Sequence, residues 1–200
     1  IENVEGKFKK SAFEIISYGA AIASEMKMPL VAVSVGKVAD SELSRAAQYG
    51  ASKILNAAND QLAGAGTQAY ATIIAEAAKA QGAKVVLVAA SFSGKTIAPR
   101  LAVKLNAGLV ENALDIPKMG GSFIVKKGAY SGKAFSFVEM LSDVKVISVL
   151  PNSYKVVENA VAPAIEAFSA SPAASDLNLK VKETVRSTDK VSLPEAELVV

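Results

Sequence analysis

Three runs of nearly uninterrupted aliphatic residues do most to restrict the fold: Leu30 to Val35, Val85 to Ala90 and Lys145 to Leu150. A strand with one wet face alternates apolar and polar side chains, whereas these segments have too few polar residues to alternate. They read as strands covered on both faces, the pattern of a parallel sheet. Helical periodicity fills the spaces between. Residues 11 to 28 carry Phe13, Ile16, Ala20 and Ala23 on one stripe and Ile15, Gly19, Ile22 and Met26 on the next, with Ser11 as N-cap and Pro29 as stop. A short helix over Ser41 to Tyr49 precedes a strand at Lys53 to Ala57, and a further helix over Gln68 to Gln81 precedes Val85. Repeated strand-helix-strand order predicts an α/β fold, a three-layer sandwich around a mostly parallel, Rossmann-like sheet.

The texture changes after Leu109. Phe123 and Val125, then Phe135 and Phe137, alternate around Gly128-Ala129-Tyr130-Ser131-Gly132, which predicts a β-hairpin with those side chains in the core. Beyond Pro151 the chain turns rich in Ala, Ser and Pro, and Val161 to Ala174 reads as connector. Leu179 to Val185 alternates like a half-exposed strand, and Glu197-Leu198-Val199-Val200 reads as the start of a buried one. The expected organisation is an α/β domain over 1–150 and a connector with a leading strand over 151–200.

Composition narrows the chemistry. With 51% hydrophobic residues the chain can bury a core, and it contains neither cysteine nor histidine. Disulfides, thiolate metal sites and Cys nucleophiles are therefore excluded, together with the commonest general base. The net charge of +3 is spread out, and Lys7-Lys9-Lys10 and Lys126-Lys127 lack interleaved aromatics, so no nucleic-acid surface is expected. No apolar run approaches the roughly 18 residues of a membrane span, and the first residues do not resemble a signal peptide, so a soluble cytoplasmic protein is expected. Glu111 and Asp115 lack the companions that acid–base catalysis by a carboxylate pair would need, so no catalytic residues are assigned.

The segment Ser91-Phe92-Ser93-Gly94-Lys95-Thr96 follows a buried strand and precedes a helix, as a phosphate-binding P-loop does. The first glycine of that motif is replaced by Ala89, where a Cβ obstructs the backbone turn around a phosphate. Pro99 suits a first helical turn, placing the predicted helix start at Ile97 or Ala98. The segment is not a P-loop.

Ser91 to Leu105, with Gly94, Pro99-Arg100, Ala102 and Leu105, followed by Gly108-Leu109-Val110-Glu111-Asn112, closely resembles the "GxxxxPRxAxxL" segment in the first domain of the electron-transfer flavoprotein α subunit. Gly6-Lys7-Phe8 with Ser11 and Glu14, Gly50-Ala51-Ser52-Lys53-Ile54, Tyr130-Ser131-Gly132-Lys133-Ala134 and Pro194 to Val200 match that family in order. The resemblance implies an adenine-nucleotide-hydrolase-like fold and a soluble electron carrier that pairs with a β subunit. Such carriers accept electrons from flavin dehydrogenases, often acyl-CoA dehydrogenases, and pass them to a quinone-linked or other acceptor. It places FAD in a second domain whose "SGGRG" loop would follow Val200, so no cofactor-binding residue carries over and these 200 residues are expected to bind no flavin. The family's first strand would precede Glu2, and only Ile1 of it remains.

In the related β subunit the region equivalent to residues 91–96 holds AMP; in the α subunit it is generally empty. Ser91, Ser93, Gly94, Lys95 and Thr96 are thus candidates for a vestigial nucleotide loop, against the preferred reading of a structural turn with Lys95 in solvent. Arg100 and Tyr130 are candidate partner contacts, against a local ion pair for the first and a capped turn aromatic for the second. The competing function is a stand-alone nucleotide-binding α/β domain of the universal-stress type.

Overall fold

The computed structural model describes residues 1–59, 62 and 64–183. The sequence readings at residues 184–185 and 194–200 lie outside them. The elements in chain order are β1 (Asn3–Val4), β2 (Lys7–Phe8), α1 (Lys10–Met26), β3 (Val31–Val35), α2 (Asp40–Ala47), β4 (Lys53–Ala57), α3 (Thr67–Ala80) and β5 (Val85–Ala89). They continue with α4 (Phe92–Leu105), β6 (Gly108–Ala113), β7 (Ile124–Ala129), β8 (Ala134–Glu139), β9 (Lys145–Val149) and β10 (Ala164–Ala167). The expected α/β three-layer architecture is present, with its middle layer in two sheets. One has the order β10-β4-β3, all parallel; the other is β5-β9-β6-β7-β8, parallel through β5, β9 and β6 and antiparallel at the hairpin.

Burial explains the uniform strands. In β9, Val146 packs against α3 and α4, while Ile147 and Val149 face α1 on the opposite side. Helix α1 lies across both sheets: Ile15, Tyr18 and Ile22 meet the larger one, and Ala12, Phe13 and Ile16 meet the smaller with α2. Its C-terminus turns through Lys27 in the left-handed region, two residues before Pro29. Its N-cap is Lys9, whose side chain makes no capping hydrogen bond, so Ser11 sits two residues too late to cap it. Below the sheets, α3 contributes Ala69 and Ile73 to one cluster and Ala71, Ala75 and Ala78 to the other.

β3 and β5 are the facing end strands of the two sheets. Between them lies an apolar cavity of about 210 Å³, lined by Val31, Val33, Val85 and Leu87 with Gly19 and Ile22 of α1 above.

Four local expectations are corrected. Helix α4 starts at Phe92, not at Ile97 or Ala98, and Pro99 lies inside it. The proline is tolerated because it lies on the exposed face, where water can satisfy the Lys95 carbonyl that the ring leaves without a donor. Phe135 and Phe137 are not core; they are 59% and 60% exposed. The alternation was right and its phase wrong: the hairpin register pairs Val125 with Val138, so inward odd positions on β7 meet inward even positions on β8. Phe123 and Val125 do face the core. The stretch Val161 to Ala174 contains β10, which extends β4 despite its Ala-rich composition. Leu179 to Glu183 forms no strand; Lys180 makes a single antiparallel bridge to Ala65.

Candidate functional site

The turn after β5 is built from its own side chains. Ser91 adopts an extended backbone and caps α4, its Oγ accepting the Gly94 N–H at 3.0 Å. The Lys95 N–H donates to the Ser91 carbonyl at 3.0 Å, and the Thr96 hydroxyl donates to the Ser93 carbonyl at 2.7 Å. Gly94 packs on the end of β5 so closely that a Cβ there would lie 1.8 Å from the Ala89 carbonyl oxygen. The Ser91 hydroxyl in turn donates to the carboxylate of Glu2.

This turn borders a cleft of about 560 Å³ beyond the C-terminal ends of β3 and β5. The first turns of α1, α3 and α4 border it through Ser11, Thr67 and Gly94. Open α/β sheets place ligands at this end of their strands, and three helix starts would favour an anion. The carboxylate of Glu2 already holds the Ser91 hydroxyl at the α4 start, so a phosphate approaching it would meet a fixed negative charge. Lys9 brings a cation to the same cleft. Nearby, the Ile1 backbone nitrogen donates to the Val33 carbonyl at 2.7 Å.

The predicted loop residues divide. Ser93 and Gly94 line the cleft, Ser91 is committed to its cap, Lys95 is exposed and outside the lining, and Thr96 is used within its own turn. The sequence reading missed Glu2: a single acidic residue 89 positions from its serine carries no local signal. Among the described residues, no group of three or more His, Cys, Asp or Glu side chains gathers to hold a metal.

Arg100 lies on the outer face of α4, with its Nη1 donating to the Thr96 carbonyl at 2.6 Å. It shares that face with Phe92, 91% exposed, and Val103, 83% exposed. Positions 92, 99, 100 and 103 fall on one side of the helix, so two apolar side chains, Pro99 and a guanidinium form a stripe in water. Tyr130, at the tip of the β7–β8 hairpin, is exposed and has a left-handed backbone. It does not cap its turn through any described side-chain hydrogen bond.

Comparison with known proteins gives the context for this geometry. The family model described as "Electron transfer flavoprotein domain" matches residues 1–173. The chain belongs to the electron transfer flavoprotein family. It is 26% identical to the electron transfer flavoprotein subunit alpha of Bacillus subtilis over 98% of this chain and 60% of that protein. It is 28% identical to the subunit alpha of Syntrophomonas wolfei over its whole length and 62% of the relative. A 31% identical stretch covering 58% of this chain matches 32% of the acryloyl-CoA reductase electron transfer subunit beta of Anaerotignum propionicum. The chain thus spans about three-fifths of the length of the alpha subunits it matches. Among the described residues, no helix is long and apolar enough to cross a membrane.

Proposed function

We propose that this electron transfer flavoprotein chain is the scaffold and docking portion of an alpha-type subunit, which holds its flavin elsewhere. The single observation that carries this reading is the closure of the α4 start by Ser91 and Glu2, which uses a loop of nucleotide-binding form for internal structure. In the whole protein the FAD would be bound by residues outside these 200, and its isoalloxazine would supply the electron-carrying chemistry. The chain's own residues hold the strand ends and helix starts in place, and present a surface to a β-type subunit. Ser91, Ser93, Gly94, Lys95 and Thr96 act in this account as a structural turn.

The exposed stripe of Phe92, Arg100 and Val103 on α4 supports the docking role, because large apolar side chains around an arginine make an interface anchor. Tyr130 is a second contact on the hairpin tip. The assembled carrier would be a soluble cytoplasmic heterodimer. It would take electrons from flavin dehydrogenases such as acyl-CoA dehydrogenases and deliver them to a quinone-linked oxidoreductase or another acceptor.

Two titrations test the reading. Isothermal calorimetry of the 200-residue chain with AMP, ATP and FAD should give no heat of specific binding. Stoichiometric AMP or ATP binding would replace this reading with that of a nucleotide-binding domain. Val103→Asp in the full-length subunit should weaken assembly with its β-type partner at least about tenfold, the loss expected when a charge enters an apolar contact. Unchanged assembly would remove the α4 stripe from the docking surface.

A further inference from the structure

Residues 164–181 run back across the smaller sheet, and their two halves are held by different means. The first half is laddered. β10 pairs with β4 from Ala164 opposite Lys53 to Ala167 opposite Asn56, and the Phe168 N–H extends the ladder to the Asn56 carbonyl at 2.9 Å. Phe168 and Ala170 then pack on Val35, Ala57 and Ile73, in the cluster between the smaller sheet and α3. Among the described residues the second half has only an isolated bridge, between Lys180 and Ala65. Its Leu177 joins the same cluster, whereas Leu179 and Val181 are 67% and 51% exposed.

One carboxylate and one backbone seat hold that second half. Asp176 is buried within a 3₁₀ turn over Ala174–Leu177. It accepts the Thr72 hydroxyl at 2.8 Å, the Gln68 amide at 3.0 Å and the Ala173 N–H at 3.3 Å. The chain then lies against the turn before α3. The Gly66 N–H donates to the Leu179 carbonyl at 3.1 Å, and the Val181 N–H donates to the Gly64 carbonyl at 2.7 Å. The run Gly64-Ala65-Gly66 suits this close approach of two backbones. A Cβ on Gly66 would lie 3.1 Å from the Leu179 Cβ, and one on Gly64 would lie 3.2 Å from the Val181 carbonyl oxygen. Val181, Ala65 and Gly66 together line the cleft at the strand ends.

We infer that residues 174–181 are a latch, which opens on its own while β10 stays paired, and which in opening moves one wall of the cleft. A segment held by few buried apolar contacts opens at lower free energy than the laddered core it covers. In the open state Asp176 gives up Gln68 and Thr72, Leu179 and Val181 leave the Gly64–Gly66 turn, and the cleft widens beside the start of α3. Phe168 keeps its bond to Asn56, so the smaller sheet remains closed. The latch is remote in sequence from the α4 stripe and does not depend on the docking role proposed above.

Hydrogen exchange read amide by amide by NMR tests this on the whole 200-residue chain. In the parent, the Gly66 and Val181 amides should share one opening equilibrium and be protected at least about tenfold less than those of Ala164 and Phe168. Asp176→Ala should speed exchange at Gly66 and Val181 about tenfold, the loss expected for hydrogen bonds to a charged group. It should leave Ala164 and Phe168 within about twofold of the parent. Asp176→Asn, which keeps one acceptor oxygen, should fall between the two. The parent comparison stands even where a variant fails to fold. Val181 and Phe168 amides equally protected in the parent would overturn the inference. So would an Asp176→Ala variant that speeds both halves alike, or one that speeds neither.

Discussion

Replacing Gly94 with alanine gives a direct test of why that residue is a glycine. If Gly94 served a phosphate, the substitution would leave the empty fold intact; if it serves the approach of α4 to β5, the fold must suffer. The added methyl would sit 1.8 Å from the Ala89 carbonyl oxygen and 3.0 Å from its carbon, so helix and strand must part by more than an ångström. Both contacts are backbone, with no flexible side chain to swing away. Overpacking of this kind costs typically 1–3 kcal/mol, and the absence of an escape route puts Gly94→Ala at about 3 kcal/mol. Alanine's better helix propensity offsets up to about 1 kcal/mol, so the measured loss understates the clash. For a chain of this length, about 3 kcal/mol lowers Tm by roughly 6–12 °C. The control is Gly128→Ala, where the nearest atom is Leu114 Cδ1 at 3.9 Å, and where Tm should move by no more than about 2 °C. Thermal melts by circular dichroism, with urea melts alongside, measure both. A Gly94→Ala variant that melts within about 2 °C of the parent would refute the packing argument.

Glu14 is buried, and its two carboxylate oxygens accept the N–H groups of Asn152 at 3.0 Å and Tyr154 at 2.9 Å, pinning the turn after β9 to α1. Glu14→Ala orphans both donors and should cost about 3 kcal/mol, with Glu14→Gln losing less; a urea midpoint unchanged in both variants would contradict this. Asp176 should make stability fall in acid. Its carboxylate accepts the Thr72 hydroxyl at 2.8 Å and the Gln68 amide at 3.0 Å, and these bonds hold its pKa below the usual aspartate value against the opposing effect of burial. The unfolded chain therefore takes up the proton first as pH falls. The stability Asp176 contributes is present above the ordinary value of 3.8 and is lost as pH drops through the folded one. Glu42, held low by the Phe8 N–H and Arg45, acts with the same sign. Melts at several pH values should show a shallower acid decline in Asp176→Asn than in the parent, and parallel curves would exclude the contribution.

The strands were legible where burial on both faces removes polar residues, as in Val85–Ala89, which forms within one residue of the predicted bounds. The start of α4 was not, because Pro99 marks a first turn only when its ring would otherwise displace a needed hydrogen bond. Here that bond faces water, and the helix nucleates upstream on the Ser91 cap. In the hairpin, periodicity gave the strand but not which parity faces inward; that is set by the turn, with Tyr130 and Ser131 both in the left-handed region. β10 escaped notice because Ala164-Ile165-Glu166-Ala167 has little strand character of its own and gains it by pairing with β4. At the candidate site, the loop was visible as a local motif. Its occupation by Glu2 was not, being a contact that exists only once the termini of distant elements meet.

The position of helix α1 has a dynamic consequence. Ile15, Tyr18 and Ile22 pack on the larger sheet, while Ala12, Phe13 and Ile16 pack on the smaller one. Opening α1 uncovers both clusters at once, so its amide protons should be among the last of the helices to exchange into deuterium. The helix acts as the keystone of the layer it covers.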